Sequence, residues 1–165
     1  KTKAKAKAAK GTARKAVKRV AKKVAGKKPA GGKAPASGKG LTLASVAPSF
    51  TVDNVEKSIA WYRDVLGFAV ARRWEEGGRL LGAELTAGAV LVMISQDDWS
   101  KGRDRVKGAG FRIYCETEQD VDRLAEGIKA RGGRLMQEPR DEEWGARAFS
   151  VQDPDGFKIT IAKDR

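Results

Sequence analysis

The chain has 165 residues and a net charge of +13, which is concentrated at one end: residues 1–40 hold 13 Lys, 2 Arg and no acid, a charge of +15, whereas residues 41–165 carry −2. The absence of histidine excludes a Ser-His-Asp triad, a Cys-His pair and any metal site ligated by histidine. The single cysteine, Cys115, excludes an intrachain disulfide and is expected to be a buried apolar residue.

The N-terminal segment, residues 1–40, is a low-complexity mixture of Lys, Ala, Gly and Pro in which Val is the only larger apolar residue. So little apolar area cannot offset the entropy lost on ordering, and we expect a disordered basic tail and linker. Within it, residues 12–24 have apolar side chains at helical spacing, so this stretch is expected to become helical only against a polyanion.

The tail is predicted to contact DNA or another polyanion, because a dense run of cations binds phosphate backbones without sequence preference. A merely solvated tail is the alternative. A membrane is not an expected partner, because the helical stretch has no Trp, Phe or Leu to insert and no apolar run approaches the roughly 18 residues of a membrane span. The candidate nucleic-acid-binding residues are Lys3, Lys5, Lys7, Lys10, Arg14, Lys15, Lys18, Arg19, Lys22, Lys23, Lys27 and Lys28.

The domain begins with a predicted strand over residues 41–52. Asp53, followed by Glu56, has the spacing of a helix N-cap with a capping box, and the helix is predicted to run to about Leu66. Gly67 ends it, since glycine accepts the left-handed backbone that follows many helices. Alternating apolar residues then predict three strands, at residues 68–75, 80–86 and 89–95.

A polar, charge-rich connection follows, and its lysines and arginines are balanced by nearby aspartates, so we expect a solvated loop with internal ion pairs. The order of elements then repeats. Asp120 is predicted to cap a second helix that ends at residues 132–133. The strands predicted for this half lie at residues 110–116, 134–137, 144–152 and 157–161, and the last two are joined by a DPDG turn at residues 153–156.

The domain over residues 41–165 is therefore predicted to be α+β and to contain two βαβββ modules, at about residues 43–96 and 108–163. Each module has an amphipathic helix and a mostly antiparallel sheet that is too small to close. Two modules side by side would form a curved eight-stranded mixed sheet with the helices outside and a concave inner face.

Two motifs carry a resemblance to a known family: DNVEKSIAWYRDVLGF at residues 53–68 and WGARAFSVQDPDGFKITIA at residues 144–162. Together they resemble the vicinal oxygen chelate superfamily, which includes glyoxalase I, extradiol dioxygenases and bleomycin-resistance proteins. The likeness covers residues 43–163 and is strongest to the metal-free bleomycin-resistance branch. The tail is similar in composition to the Lys/Ala/Pro-rich arms of linker histones and bacterial histone-like proteins.

Enzymes of this superfamily hold a divalent metal with His, Glu or Gln from the middle of four strands. Carried over by spacing, these positions fall at Val46, Val92, Arg112 and Thr160, which do not form a metal site. The nearest acid, Glu84, is insufficient alone, because Mg²⁺ or Ca²⁺ needs several oxygen ligands. The resemblance therefore implies a protein without metal or cofactor.

Several side chains are candidates for contact with a ligand. Trp144 is interpreted as a stacking wall or as strand-edge packing, and Trp99 as a recognition residue or as a lid over a partner subunit. Arg112 needs a carboxylate or an anionic ligand if it faces the concavity, because an unpaired buried cation is costly. The full set of ligand-binding candidates is Trp144, Arg112, Trp99, Tyr114, Trp74 and Thr160.

Three functions remain open. The favoured one is a homodimeric, metal-free protein that sequesters a drug-like molecule of the bleomycin type and is held near DNA by its tail. The alternatives are a metal-dependent lyase or dioxygenase of the glyoxalase type, and a structural DNA-associated protein that uses the domain to dimerise. The expected location is the cytoplasm, including the nucleoid if the tail contacts DNA.

Overall fold

The computed structural model describes residue 41 and residues 43–164, so the predictions made for residues 1–40 lie outside the described part. Residues 41 and 43–46 contain no helix or strand, and their larger side chains are exposed. The elements described below all lie within one compact unit that begins at Ala47.

The first module confirms the predicted order of one strand, one helix and three strands. It contains β1 (Ser49–Val52), α1 (Val55–Asp64), β2 (Ala69–Glu76), β3 (Arg79–Ala87) and β4 (Val90–Gln96). The strand order across the sheet is β1-β4-β3-β2, with β1 parallel to β4 and the other pairs antiparallel. The first strand is shorter than the predicted strand over residues 41–52.

The second module repeats this arrangement. It contains β5 (Arg112–Glu116), α2 (Val121–Ala130), β6 (Leu135–Asp141), β7 (Ala146–Gln152) and β8 (Lys158–Asp164). The strand order is β5-β8-β7-β6, and β5 is parallel to β8. The predicted strand at residues 134–137 extends to Asp141 through Pro139, which is tolerated because β6 lies at a sheet edge and pairs irregularly.

The α+β fold of two βαβββ modules is confirmed, but the expected single eight-stranded sheet is divided. The strands form two four-stranded sheets, and no strand pairing joins the sheets within residues 43–164. Each helix packs on the sheet of its own module, α1 on β2, β3 and β4 and α2 on β6, β7 and β8. The opposite side of each sheet therefore carries no helix of its own module.

The core lies between each helix and its sheet, as the apolar stripes predict. On α1 the buried residues include Ile59 and Tyr62, and on α2 they include Val121, Ala125 and Ile128. The strands contribute alternating residues to the same core: Phe50, Val52, Ala83, Leu85, Val92, Ile94, Phe149, Val151 and Ile159. Full burial of a side chain of this size contributes roughly 1.5–3 kcal/mol.

The cap of α1 corrects one prediction. Asn54, not Asp53, is the N-cap, and its side-chain oxygen accepts a hydrogen bond of 2.9 Å from the Lys57 N–H. Asp53 is engaged elsewhere, because its carboxylate pairs with Lys107 and its N–H donates to Asp155. The cap predicted for α2 is confirmed, since Asp120 accepts from the Arg123 N–H at 3.0 Å.

The DPDG turn joins the two modules. Asp155 accepts hydrogen bonds from the Asp53 N–H at 2.6 Å and from the Ser58 hydroxyl at 3.0 Å, and both donors belong to the first module. Asp153 accepts from the hydroxyl of Tyr62 at 3.0 Å and from two N–H groups of its own turn. Gly156 completes the turn at φ +91°, a conformation that favours glycine.

Aromatic and ionic contacts complete the junction between the modules. The ring of Phe50 on β1 stacks on that of Phe157 before β8, with centroids 4.2 Å apart. In the connection between the modules, Lys107 is buried and pairs with Asp97 at 2.8 Å as well as with Asp53. The expected internal ion pairs are present and residues 100–106 are exposed, but the side chains of Lys107 and Asp97 are almost fully withdrawn from water, which corrects the expectation for these two residues.

Over residues 43–164, no helix has the length and apolar character needed to cross a lipid bilayer.

Candidate functional site

The side of each sheet that faces away from its helix is the natural place to look for a ligand. On the first sheet, residues that alternate with the core positions share this side, as the strand register shows. We call this surface open face 1, and it is formed by Thr51, Arg72, Trp74, Gly82, Glu84, Met93 and Ser95.

The indole of Trp74 lies on the backbone of β3. A Cβ atom added to Gly82 would lie 2.3 Å from Cζ2 of Trp74, so the ring occupies the space that any other residue at this position would need. Trp74 is half-buried, which leaves part of the ring accessible. The predicted ligand candidate Trp74 is thus placed on open face 1 and held there by a close approach to glycine.

Glu84 is two residues along β3 from Gly82, on the same face, and is only 5% exposed. Its carboxylate has one ionic contact among the described residues, with the guanidinium of Arg72 at 3.6 Å. This distance is too long for a hydrogen bond, and because no buried side-chain oxygen among the described residues lacks a partner, the carboxylate oxygens of Glu84 reach solvent and can accept from a ligand. From the sequence, Glu84 is considered only as a possible metal ligand, and Arg72 is not identified. A signal is present, because Arg72 and Trp74, like Gly82 and Glu84, are two residues apart and therefore lie on the same face of their strand.

The second sheet presents a corresponding surface, open face 2. Its residues alternate with core positions such as Ile113 and Ile159, and they lie in register across β5, β8 and β7. The face includes Arg112, Tyr114, Glu116, Ser150, Lys158, Thr160 and Asp164, while Ala162 on the same side is fully buried. Three of the predicted ligand candidates, Arg112, Tyr114 and Thr160, are therefore brought together on one surface.

The remaining predicted candidates lie elsewhere. Trp144 is in the turn between β6 and β7 and is 64% exposed, so the structure does not place it on either open face. Trp99, at φ +57°, lies in the connection between the modules, where Arg103 and Lys107 sit 4.5 and 4.8 Å from its ring centroid. These cation–π contacts give the ring a local packing role in the connection.

The same connection contains Asp97, whose ionised carboxylate is strongly stabilised by its neighbours. Burial raises the pKa of Asp97, but hydrogen bonds from Lys107, the Trp99 N–H and Arg105 outweigh this effect and bring its pKa to about 2. Asp97 is therefore ionised and fully engaged by protein groups. This cluster holds the connection together and is not an open site.

A second buried carboxylate behaves in the opposite way. Burial is the largest effect on Asp153 and, with the nearby charge of Asp155, raises its pKa to about 6, against the hydrogen bonds that favour its ionised form. Burial and the adjacent Asp153 also raise the pKa of Tyr62, which stays protonated and donates its hydroxyl proton. The pair sits at the module junction.

Two of the positions carried over from the metal-binding enzymes do not reach an open face. Val46 precedes β1 and is 89% exposed, and Val92 points towards α1 with 1% exposure. The position Val46 is located by its spacing from the predicted helix cap, Asp53. The cap is Asn54, so the same spacing leads to Ala47, which also has no ligating side chain.

The sequence profile of the Glyoxalase/Bleomycin resistance protein/Dioxygenase superfamily matches residues 41–161. The chain belongs to this superfamily. Among its relatives, the lactoylglutathione lyase of Neisseria meningitidis is 31% identical over 121 residues, which cover 69% of this chain and 86% of that protein. Lactoylglutathione lyase GLX1 of Arabidopsis thaliana is 25% identical over 118 residues, 68% of this chain, and the chain spans only 41% of that relative's length.

Several solved structures share the fold. TnmS3, an antibiotic binding protein from Streptomyces sp. CB03234, superposes with a TM-score of 0.60 and 21% identity, covering 76% of this chain and 100% of the other. TioX from Micromonospora sp. ML1 superposes with a TM-score of 0.61 and 20% identity, covering 74% of this chain and 99% of TioX. At these identities the likeness establishes the fold alone.

Some members of the superfamily use a divalent metal, so the donor set of this chain is informative. Among the described residues, no three His, Cys, Asp or Glu side chains lie close enough together to hold a metal ion. On open face 1, the carboxylate of Glu84 lies next to the cation Arg72. On open face 2, Thr160 is two residues along β8 from Lys158, which lies in register with the cation Arg112 on β5. These residues do not fit a divalent cation.

Proposed function

We propose that the domain binds a small molecule on the open faces of its sheets and sequesters it, while the basic tail holds the protein on DNA. The observation that carries the proposal is the arrangement on open face 1. Glu84 has no hydrogen bond from the described residues and its carboxylate oxygens reach solvent, and it lies two residues along β3 from Gly82, on which the flat ring of Trp74 rests. A ligand N–H or O–H can therefore donate to this carboxylate, and hydrogen bonds to a charged group are stronger than those between neutral groups.

We infer that the ligand is drug-like and of the bleomycin type. The motif at residues 144–162 resembles the bleomycin-resistance branch, and the fold is shared with an antibiotic binding protein. The donor set of the open faces, which does not fit a divalent metal, also favours retention of a molecule over its conversion.

Calorimetric titration of the full chain with bleomycin tests the ligand and its place. We expect measurable binding that weakens at least tenfold in Trp74→Ala and in Glu84→Gln. Trp144→Ala is the matched tryptophan control, and we expect it to bind as the wild type does. No heat of binding would refute the bleomycin-type ligand, and equal loss in Trp144→Ala would refute open face 1 as its site.

A metal-dependent lyase is the second candidate, and the 31% identity to a lactoylglutathione lyase favours it. The test is metal analysis of the purified full chain, followed by the hemithioacetal assay with methylglyoxal and glutathione in added Ni²⁺ or Zn²⁺. We expect no stoichiometric metal and no turnover above that of the metal alone. Stoichiometric metal with turnover would replace the sequestration proposal.

The tail would contribute nonspecific DNA affinity and place the protein in the nucleoid. There it would raise the local concentration of the ligand-binding domain near DNA, the target of bleomycin-type drugs. Deletion of residues 1–40 is expected to abolish DNA binding. Binding of the full chain should weaken by about 10³–10⁵ between about 50 and 200 mM salt if about 6–10 phosphates are contacted. Salt-insensitive binding, or binding retained after the deletion, would refute this role.

We also propose that the protein is a homodimer. If the tail and dimer alone carry the function, the protein is a structural DNA-associated protein, in which two tails bridge duplexes. Sedimentation of the full chain, with and without DNA and bleomycin, separates the cases. A dimer that bridges duplexes but binds no small molecule would favour the structural role.

A further inference from the structure

Open face 2 is organised in rows that run across its strands. In the first row, Arg112 on β5 lies in register with Lys158 on β8. In the next row, Tyr114 lies beside Thr160, and Thr160 beside Ser150 on β7. Because side chains alternate between the two sides of a strand, the cationic row and the hydroxyl row share the side that α2 does not cover.

The cationic row has no acidic partner. Neither Arg112 nor Lys158 makes an ion pair with a carboxylate within residues 43–164, although Arg72, Arg105 and Arg147 all do. Like charges directly opposite each other on neighbouring strands destabilise a sheet. A sheet that places two neighbouring cations side by side on one face is therefore stabilised by an anion that contacts both.

The hydroxyl row supplies hydrogen bonds and an aromatic surface next to these cations. Ser150 and Thr160 are 3.0 Å apart, so one hydroxyl donates to the other and the accepting hydroxyl keeps its own proton for a further acceptor. Thr160 is almost fully buried, which fixes its position, while Tyr114 is 45% exposed and presents its ring to solvent.

We propose that open face 2 binds a small organic anion, a carboxylate or phosphate attached to a flat ring. The guanidinium of Arg112 and the ammonium of Lys158 hold the anionic group, since charge-assisted hydrogen bonds to such groups are among the strongest in proteins. The ring lies against Tyr114, and the Ser150–Thr160 pair donates to the ligand. This inference rests on the proposed small-molecule function and gives open face 2 a ligand class of its own, small organic anions.

Titration of the ¹⁵N-labelled full chain with phenyl phosphate, followed by NMR at 150 mM salt, tests the inference. We expect shift changes at β5 and β8, and a dissociation constant at least tenfold weaker for the uncharged probe benzyl alcohol. The variant Arg112→Gln/Lys158→Gln should weaken the binding at β5 and β8 at least tenfold. The control Arg73→Gln/Arg79→Gln loses the same charge from exposed arginines on β2 and β3 and should change it less than twofold.

The control also separates the site from the tail, because both double variants keep residues 1–40 and the same net charge. Equal affinities of the two double variants, or equal affinities for the charged and uncharged probes, would overturn the anion site. If duplex DNA at the same phosphate concentration changes the NMR chemical shift of Arg112, the cationic row binds nucleic acid, and the small-anion site is overturned as well. If bleomycin binds at Trp74 while phenyl phosphate leaves β5 and β8 unchanged, the anion inference fails alone; if neither probe binds, the proposed function fails with it.

Discussion

Replacement of Asp155 by Ala is expected to weaken the junction between the modules. The carboxylate accepts one hydrogen bond from the Asp53 N–H at 2.6 Å and one from the Ser58 hydroxyl at 3.0 Å. Hydrogen bonds to a charged group contribute about 1.5–3 kcal/mol each, and their loss is partly offset because Asp155 also repels Asp153. We therefore expect Asp155→Ala to lower the free energy of unfolding by about 2–3 kcal/mol.

Urea unfolding followed by tryptophan fluorescence measures this loss. With a slope of about 1.5–2 kcal/mol per molar urea for a domain of this size, the midpoint should fall by about 1–2 M. Glu143→Ala is the matched control, since Glu143 is exposed and makes no hydrogen bond or ion pair with the described residues, and it should change stability by less than about 0.5 kcal/mol.

A double-mutant cycle with Ser58→Ala tests the contact itself. The Ser58 hydroxyl donates to Asp155, so the two substitutions should be coupled by about 1 kcal/mol. If the effects of Asp155→Ala and Ser58→Ala simply add, or if Asp155→Ala matches Glu143→Ala, the turn does not clamp the modules as we conclude.

Three further predictions concern other buried groups. The folded-state pKa of Asp153, about 6, exceeds its ordinary value of 3.8, so its protonation favours the folded state; the stability it contributes is present below about pH 4 and is lost as the pH rises through 6, up to about 3 kcal/mol. Urea unfolding at pH 5 and pH 7 should show about 1.3 kcal/mol of this loss in the wild type but not in Asp153→Asn, and an unchanged pH dependence in the variant would contradict it. Gly82→Ala should cost about 1–3 kcal/mol in the same assay and alter the fluorescence of Trp74, because the added Cβ would lie 2.3 Å from its ring and 2.5 Å from the Ile94 carbonyl oxygen; wild-type stability would show that the ring is not seated there. Lys107→Met should cost about 2–3 kcal/mol, because it leaves the buried Asp97 with Arg105 as its one ionic partner among the described residues, and a neutral effect would mean that the cluster is solvated.

The sequence by itself determined the fold, because the features that specify it are local. Apolar residues at helical spacing, the cap at Asp120 and the glycine after each helix predicted both helices, and alternation with turn chemistry predicted the closing hairpin. Each of these signals depends on a few neighbouring residues. The duplicated order of elements then restricts the domain to two modules, which the structure confirms.

Long-range pairing decided what the sequence could not. Asp53 loses the cap to Asn54 because Lys107, distant in sequence, takes its carboxylate. Strand register likewise determines that Arg72 meets Glu84 and that Arg112 meets Lys158, and it turns Val92 towards the core. Register depends on contacts between segments separated in the chain, and a shift of one residue would reverse every face. The sequence therefore predicted which residue types could contact a ligand. Only the tertiary structure determined which of these residues lie together on one surface.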